Sequence, residues 1–143
     1  MIYFDTCALV QLVRADRHSE ALGRFIDARP DVRWFVSELA KAELARALRR
    51  TNHDDKGKII DSGRLSAELD YAERLWDNID LIPVTTRVLT DAGALEHPFL
   101  RTLDAIHLAS AAALRAGLSA FVTYDKRLAA AAAEAGLPVT MPA

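Results

Sequence analysis

Short apolar runs alternate along this chain with longer segments in which apolar residues recur every three or four positions. The runs read as strands: Ile2-Tyr3-Phe4, Trp34-Phe35-Val36, Leu81-Ile82-Pro83-Val84 ending at proline, and Ala120-Phe121-Val122-Thr123, with Pro138-Val139-Thr140 as a short edge strand. The periodic segments read as helices from about Thr6 to Val13, Glu20 to Ala28, Glu38 to Arg50, Ala67 to Trp76, Arg87 to Leu95, Thr102 to Ala116 and Leu128 to Ala135. Ser37-Glu38 has the form of a helix start, a capping side chain followed by an acid that suits the helix dipole. Gly117 and Gly136 read as helix stops. Thr51 to Ser66 is polar, holds Gly57 and Gly63, and reads as an exposed loop with room for a turn of helix. Strands and helices alternating at this spacing form βαβ units. The expectation is one three-layer α/β/α domain over residues 1–143, with a central, mainly parallel sheet of four to five strands and right-handed crossovers.

Composition narrows the class without changing it. With 143 residues, 51% of them apolar and 27% charged, the chain is long enough for one real core and too apolar for disorder. No stretch approaches the length of a membrane span. The apolar start carries Asp5 and lacks a basic leader, so it does not read as a signal peptide. Cys7 is the only cysteine, which excludes an internal disulfide and fits a reducing compartment; a cytoplasmic location is expected. The net charge of -2 provides no global basic field, which leaves room for a local basic surface beside an acidic site.

Acidic residues fall at telling places on this frame. Asp5 and Asp125 each lie where a strand ends and a helix begins, the edge at which open parallel sheets bind ligands. Either residue alone also serves as a helix cap. Asp104 shares a face of its helix with Leu108, Ala111 and Ala112, and that helix is apolar nearly all round. A carboxylate buried there demands a cation, a metal or a set of donors; otherwise it caps the first turn with Thr102. Glu43 sits at the edge of the stripe formed by Ala40, Leu44, Ala47 and Leu48, where its ordinary use is a pair with Arg46 or solvent exposure. Four carboxylates meeting at one edge would repel each other strongly, and such clusters serve hard divalent ions that take oxygen ligands. The arrangement suits phosphodiester hydrolysis, in which divalent ions activate water and stabilise charge on the attacking and leaving oxygens. No Gly-x-Ser-x-Gly, P-loop or dinucleotide fingerprint occurs, and Cys7 has no histidine partner in sequence.

Four ordered stretches carry a family resemblance: Tyr3 to Val10, Ser37 to Leu44, Leu103 to Ala111, and Val122 to Leu128. Together they resemble the four acidic motifs of PIN-domain ribonucleases, and most of all the VapC-type toxins of bacterial toxin–antitoxin pairs. The resemblance covers essentially the full length. It implies a PIN-like fold and a Mg²⁺- or Mn²⁺-dependent endoribonuclease that cleaves cellular RNA and inhibits translation and growth. It also implies a homodimer and inhibition by a cognate VapB-like antitoxin. Residue by residue, it makes Asp5, Glu43, Asp104 and Asp125 the catalytic, metal-binding acids, with Thr6 and Thr123 as support whose hydroxyls hold a carboxylate or a water. Where many relatives carry a further acid after the last motif, this chain has Lys126-Arg127.

Basic residues near the rim are the expected RNA contacts, Arg46, Arg50, Lys126 and Arg127 in the first place, with Arg14, Arg17, Arg49, Lys56, Lys58 and Arg101 as further candidates. Tyr124 or Trp34 could stack a base. His107 reads as a hydrogen-bonded core residue rather than a general base. Two rival functions use similar residues. A phosphoaspartate receiver or acid phosphatase places acids at strand ends, but a receiver pairs acids after its first strand, and here Asp5 stands alone. A catalytically silent PIN-like module that only binds RNA or protein has no use for four intact acids.

Overall fold

A computed structural model describes residues 1–143. Its first strand, β1 (Ile2–Phe4), is buried on both faces and sits in the middle of the sheet. Side chains of a strand alternate between faces, so Ile2 and Phe4 enter one core and Tyr3 the other. After β1 come α1 (Thr6–Arg14), α2 (Ser19–Asp27), β2 (Trp34–Ser37), α3 (Ala40–Thr51) and α4 (Ser62–Leu75). The chain continues through β3 (Ile79–Ile82), α5 (Thr86–Gly93), α6 (Thr102–Ala112), β4 (Ala120–Val122), α7 (Lys126–Glu134) and β5 (Val139–Thr140).

All strand pairings are parallel, in the order β3-β2-β1-β4-β5. The central register sets Phe4 beside Val122 and Tyr3 beside both Phe35 and Phe121. On one face Ile2, Phe4, Val36 and Val122 pack with Leu9, Leu22, Leu44, Leu48 and Leu75 of α1 to α4. On the other, Tyr3, Phe35 and Phe121 pack with Leu108 of α6 and Leu128 and Ala132 of α7. A small satellite core of Val88, Ala92, Ala105, Ile106 and Ala109 joins α5 to α6. This is the expected three-layer architecture with five strands. The chain first builds outward from β1 to β2 and β3, then crosses back to β4 and β5 on the opposite side. The carboxyl ends of β1 and β4 therefore flank a topological switch point, where an open parallel sheet forms a crevice.

Several boundaries differ from the periodic reading. Ser37 ends β2 rather than capping a helix: Ser37 pairs with Ile82, and the Glu38 amide donates to the Ile82 carbonyl at 2.9 Å. Sheet pairing claims that backbone, so α3 starts only at Ala40, and the Glu38 carboxylate instead accepts from the Val84 amide. The third strand lies two residues earlier than expected, at Ile79–Ile82, and Pro83, which has no amide to offer, follows its end. Helix α6 stops at Ala112, and Arg115–Gly117 forms a separate 3-10 turn. The supposed loop from Thr51 to Ser66 contains the first turns of α4, which Asp61 caps by accepting from the Arg64 amide at 2.9 Å.

That region also hides a polar knot where α1, α3 and α4 meet. Glu68 is 6% exposed and Asn52 3%. The Asn52 amide donates to Glu68 Oε2 at 2.6 Å and to the Leu48 carbonyl at 2.8 Å, while Arg64 Nε donates to Glu68 Oε1 at 2.9 Å. Arg14 closes the knot, 3.6 Å from Glu68 and hydrogen bonded to the Thr51 hydroxyl. Arg14, a sequence candidate for RNA contact, is thus a structural residue.

Candidate active site

The switch-point crevice collects all four predicted acids. A cavity of about 400 Å³ is lined by Asp5, Glu43, Asp104 and Asp125, together with Thr6, Cys7, Gln11, Arg50, Thr51, Arg101 and His107. A larger cavity, about 790 Å³, lies between the α5–α6 connection and α7, but its lining is mainly apolar and gathers no comparable chemistry. Two of the acids reach the crevice as caps that follow strands and two from the first turns of helices.

Asp5 follows β1 and caps α1, its Oδ1 accepting from the Ala8 amide at 3.0 Å. Its Oδ2 accepts from the Thr123 hydroxyl at 2.6 Å and from the Cys7 thiol at 3.2 Å. Only 4% of the residue is exposed, and burial raises its pKa above the ordinary aspartate range despite the Cys7 and Thr123 hydrogen bonds that pull the other way. The Cys7 thiol is pushed up strongly by burial and by Asp5, so it is an unreactive donor rather than a nucleophile. Asp125 follows β4 and caps α7, its Oδ1 accepting from the Arg127 and Leu128 amides at 2.8 and 3.0 Å. Thr123 couples the two strand ends, since its hydroxyl donates to Asp5 while accepting from the Asp125 amide at 3.0 Å.

Asp104 departs from expectation. It lies in the first turn of α6 with 17% of its side chain exposed, binds no helix amide, and pairs with Arg101 Nε at 2.9 Å. Arg101 also reaches Asp125 at 3.3 Å, so its guanidinium spans two of the four acids. The buried carboxylate is Asp5, not Asp104, because β1 is central while the α6 N-terminus stands at the rim. Glu43, on the first turn of α3, accepts at Oε2 from the Thr6 hydroxyl at 2.6 Å and faces His107 Nε2 at 2.7 Å. Partial burial pushes Glu43 up, but the hydrogen bonds from His107 and Thr6 outweigh it and hold the carboxyl below its usual range.

Among the basic candidates, Arg50 and Arg101 line the cavity, whereas Arg46, Lys126 and Arg127 are exposed but do not. Tyr124 stacks on His18 at 4.5 Å, and its hydroxyl donates to the Pro142 carbonyl, so one face of the ring is occupied. Trp34 starts β2 and pairs with the start of β3, which places it at the opposite end of the sheet from the acids. Sequence reasoning did not foresee that Arg101 bridges acids or that His107 reaches Glu43. Both contacts join elements far apart in the chain; the only local signal was the spacing of Arg101, Asp104 and His107, one helical turn each.

The donor set is oxygen-rich and suits a hard cation. Glu43 Oε1 and Asp104 Oδ1 have no protein partner, and Asp5 is raised by burial with no basic side chain bonded to it. No three carboxylate, imidazole or thiol groups stand close enough together to enclose an ion by themselves. One consequence is measurable. Because the folded value of Asp5 lies above the unfolded one, its contribution to stability is present below about pH 4 and is lost as pH rises through the folded value. In EDTA, Asp5→Asn is therefore expected to melt higher than wild type at neutral pH, by about 1 kcal/mol on the scale of removed functional strain. The gap should close as pH falls toward 4, a trend that thermal melts across pH would check.

With the crevice defined, the PIN domain family profile matches residues 2–134. The chain belongs to the PIN domain family. Two related PIN proteins of Mycobacterium tuberculosis are named Ribonuclease VapC35 and Ribonuclease VapC46. The first is 37% identical over 99% of this chain and 97% of its own length, the second 41% identical over the same shares. Solved structures share the fold at lower identity. M. tuberculosis VapC20, described as a sarcin-ricin loop cleaving toxin, aligns with a TM-score of 0.66 at 20% identity, covering 92% of this chain and 95% of that one. A toxin–antitoxin complex from Klebsiella pneumoniae aligns with a TM-score of 0.67 at 19% identity, covering 100% and 98%.

Proposed function

We propose that this PIN-domain protein is a divalent-metal-dependent endoribonuclease, the toxin of a VapBC-type pair, which cleaves cellular RNA and thereby inhibits translation and growth. The observation that carries the reading is the convergence of Asp5, Glu43, Asp104 and Asp125 on one crevice at the sheet's switch point. Full-length relatives named as VapC ribonucleases support it. Asp5, Glu43, Asp104 and Asp125 would hold Mg²⁺ or Mn²⁺, which supplies activation of water and stabilisation of charge on the reacting phosphate oxygens.

The chain's own residues do the rest. Thr123 and the Ala8 amide fix Asp5, Thr6 fixes Glu43, and the α7 amides fix Asp125, so the carboxylates are held before RNA arrives. Arg50 and Arg101 stand at the cavity to meet backbone phosphates, Arg101 with a planar fork suited to two oxygens. The exposed Arg46, Lys126 and Arg127 extend that surface along the rim. The partner is a small VapB-like antitoxin that covers the acidic edge with an Arg or Lys of its own, and the active form is a homodimer. No helix is long and apolar enough to cross a membrane.

The test is incubation of the purified chain with total RNA in Mg²⁺ or Mn²⁺ and in EDTA, followed by sequencing of the new RNA ends. Discrete ends that appear with metal and vanish with EDTA are expected. Folded protein that leaves RNA intact in Mn²⁺, or cuts it equally in EDTA, would overturn the reading.

A further inference from the structure

Helix α6 contributes a second group to the crevice besides Asp104. His107, one turn further along, is 2% exposed and touches three polar partners at once. Its Nδ1 lies 2.8 Å from the Tyr3 hydroxyl, and its Nε2 lies 2.7 Å from Glu43 Oε2 and 3.2 Å from the Thr6 hydroxyl. The Tyr3 hydroxyl accepts from the Ser37 amide at 3.2 Å. A hydroxyl that accepts from a backbone amide is free to turn its own proton elsewhere; Nδ1 lies 2.8 Å away, and the buried Ser110 hydroxyl, which has no hydrogen bond of its own, stands nearby as a further donor to the phenol oxygen. Nδ1 is then an acceptor, and the ring proton resides on Nε2, facing Glu43.

We propose that His107 is a positioning residue for Glu43, locked by Tyr3 as the Nε2–H tautomer, and that this relay presents Glu43 Oε1 to the divalent cation of the reaction. The proposal rests on the metal-dependent reading above. The relay runs from the Ser37 amide through Tyr3 and His107 to Glu43, and Thr6 completes the hold on Oε2. With Oε2 occupied by two donors, Oε1 is the oxygen left without a protein partner in the cavity. Every part of the relay is rigidly seated. Tyr3 is fully buried in the central strand and stacked on Phe121, with centroids 5.3 Å apart and planes 3° from parallel. Burial keeps its phenol protonated, well above the ordinary tyrosine range, so it remains a donor. Ser37 is held at the end of β2 by pairing with Ile82. Glu43 itself stands on the first turn of α3, a longer and more mobile side chain than Asp5 or Asp125, which their own helix amides restrain. It is the acid that most requires an external hold.

The experiment measures Mn²⁺ binding by calorimetry, together with cleavage, for wild type, His107→Phe, His107→Gln and Tyr3→Phe. Histidine ¹⁵N shifts from long-range ¹H–¹⁵N spectra report the tautomer. Wild type should show the Nε2–H form. His107→Phe, which keeps a flat aromatic ring but removes both nitrogens, should weaken Mn²⁺ binding about tenfold or more, the usual effect of losing such an outer partner. His107→Gln, whose amide can donate to Glu43, should recover part of it. Tyr3→Phe should retain the fold, lose the single tautomer, and require more Mn²⁺ for half-maximal cleavage while approaching the wild-type rate at saturation. Unchanged Mn²⁺ affinity in folded His107→Phe, or an Nδ1–H or doubly protonated ring in wild type, would overturn the proposal. Wild type that binds no Mn²⁺ and cuts no RNA would instead overturn the functional reading beneath it.

Discussion

Asp5→Asn is expected to lower RNA cleavage by at least about a thousandfold, the scale on which enzymes lose rate when a single charge-stabilising group is removed. The amide preserves shape. Its oxygen can still accept from Ala8, and its nitrogen can donate to Thr123 or Cys7, so α1 stays capped and the fold persists. The charge is lost, and with it the attraction that brings a divalent ion into a cavity whose deepest acid this is. Asp104→Asn, Asp125→Asn and Glu43→Gln are expected to follow the same course. A cleavage assay at fixed Mn²⁺, with circular dichroism to check folding, decides each case. A variant that cleaves at the wild-type rate removes its residue from the catalytic set. High Mn²⁺ should recover part of the loss, because mass action offsets weakened ion binding.

Glu68→Ala should destabilise the protein by about 3 kcal/mol, as expected when one member of a buried ionic cluster is removed and its partners are left behind. Glu68 accepts from Asn52 and Arg64 and lies 3.6 Å from Arg14, so truncation leaves the buried Asn52 amide with the Leu48 carbonyl alone and takes the nearer carboxylate from the largely buried Arg14, which keeps Thr51 and a 4.0 Å approach to Asp16. At this chain length the change corresponds to a fall of about 10 °C in melting temperature. Arg64→Ala should cost much less, since half of that side chain is already in water. Melts of the two variants in the same buffer would check the contrast. Equal losses would mean that the exposed arm of the knot matters as much as the buried one.

Much of this molecule was legible because its strands are short apolar runs bounded by polar residues. Ile2–Phe4 and Ala120–Val122 stand out by composition alone, and the position of Asp5 and Asp125 just beyond them follows directly. The start of α4 was not legible. Ser62-Gly63-Arg64 carries no apolar stripe, and the first inward side chain, Leu65, comes only after the capped turn. Glu68 was equally opaque, since a glutamate on a helix is usually solvated and only the fold brings Arg14 and Asn52 to it. Within the site, periodicity made Asp104 look buried. The difference between a helix interior and a helix end at the rim depends on how α6 meets β2, which residue spacing does not encode. The bridging by Arg101 is a contact between side-chain ends, decided by packing rather than pattern.

The hydrogen bond between Asp5 and Thr123 joins residues 118 positions apart. At synthesis rates of about 5 to 20 residues per second, Thr123 is added about 6 to 24 s after Asp5. Until then β1 lacks its neighbour β4, and the crevice lacks Asp125. On the proposed reading of the site, a nascent chain is inert toward RNA for most of its synthesis, and the ribosome that makes it would meet a working nuclease only after the last segment has emerged.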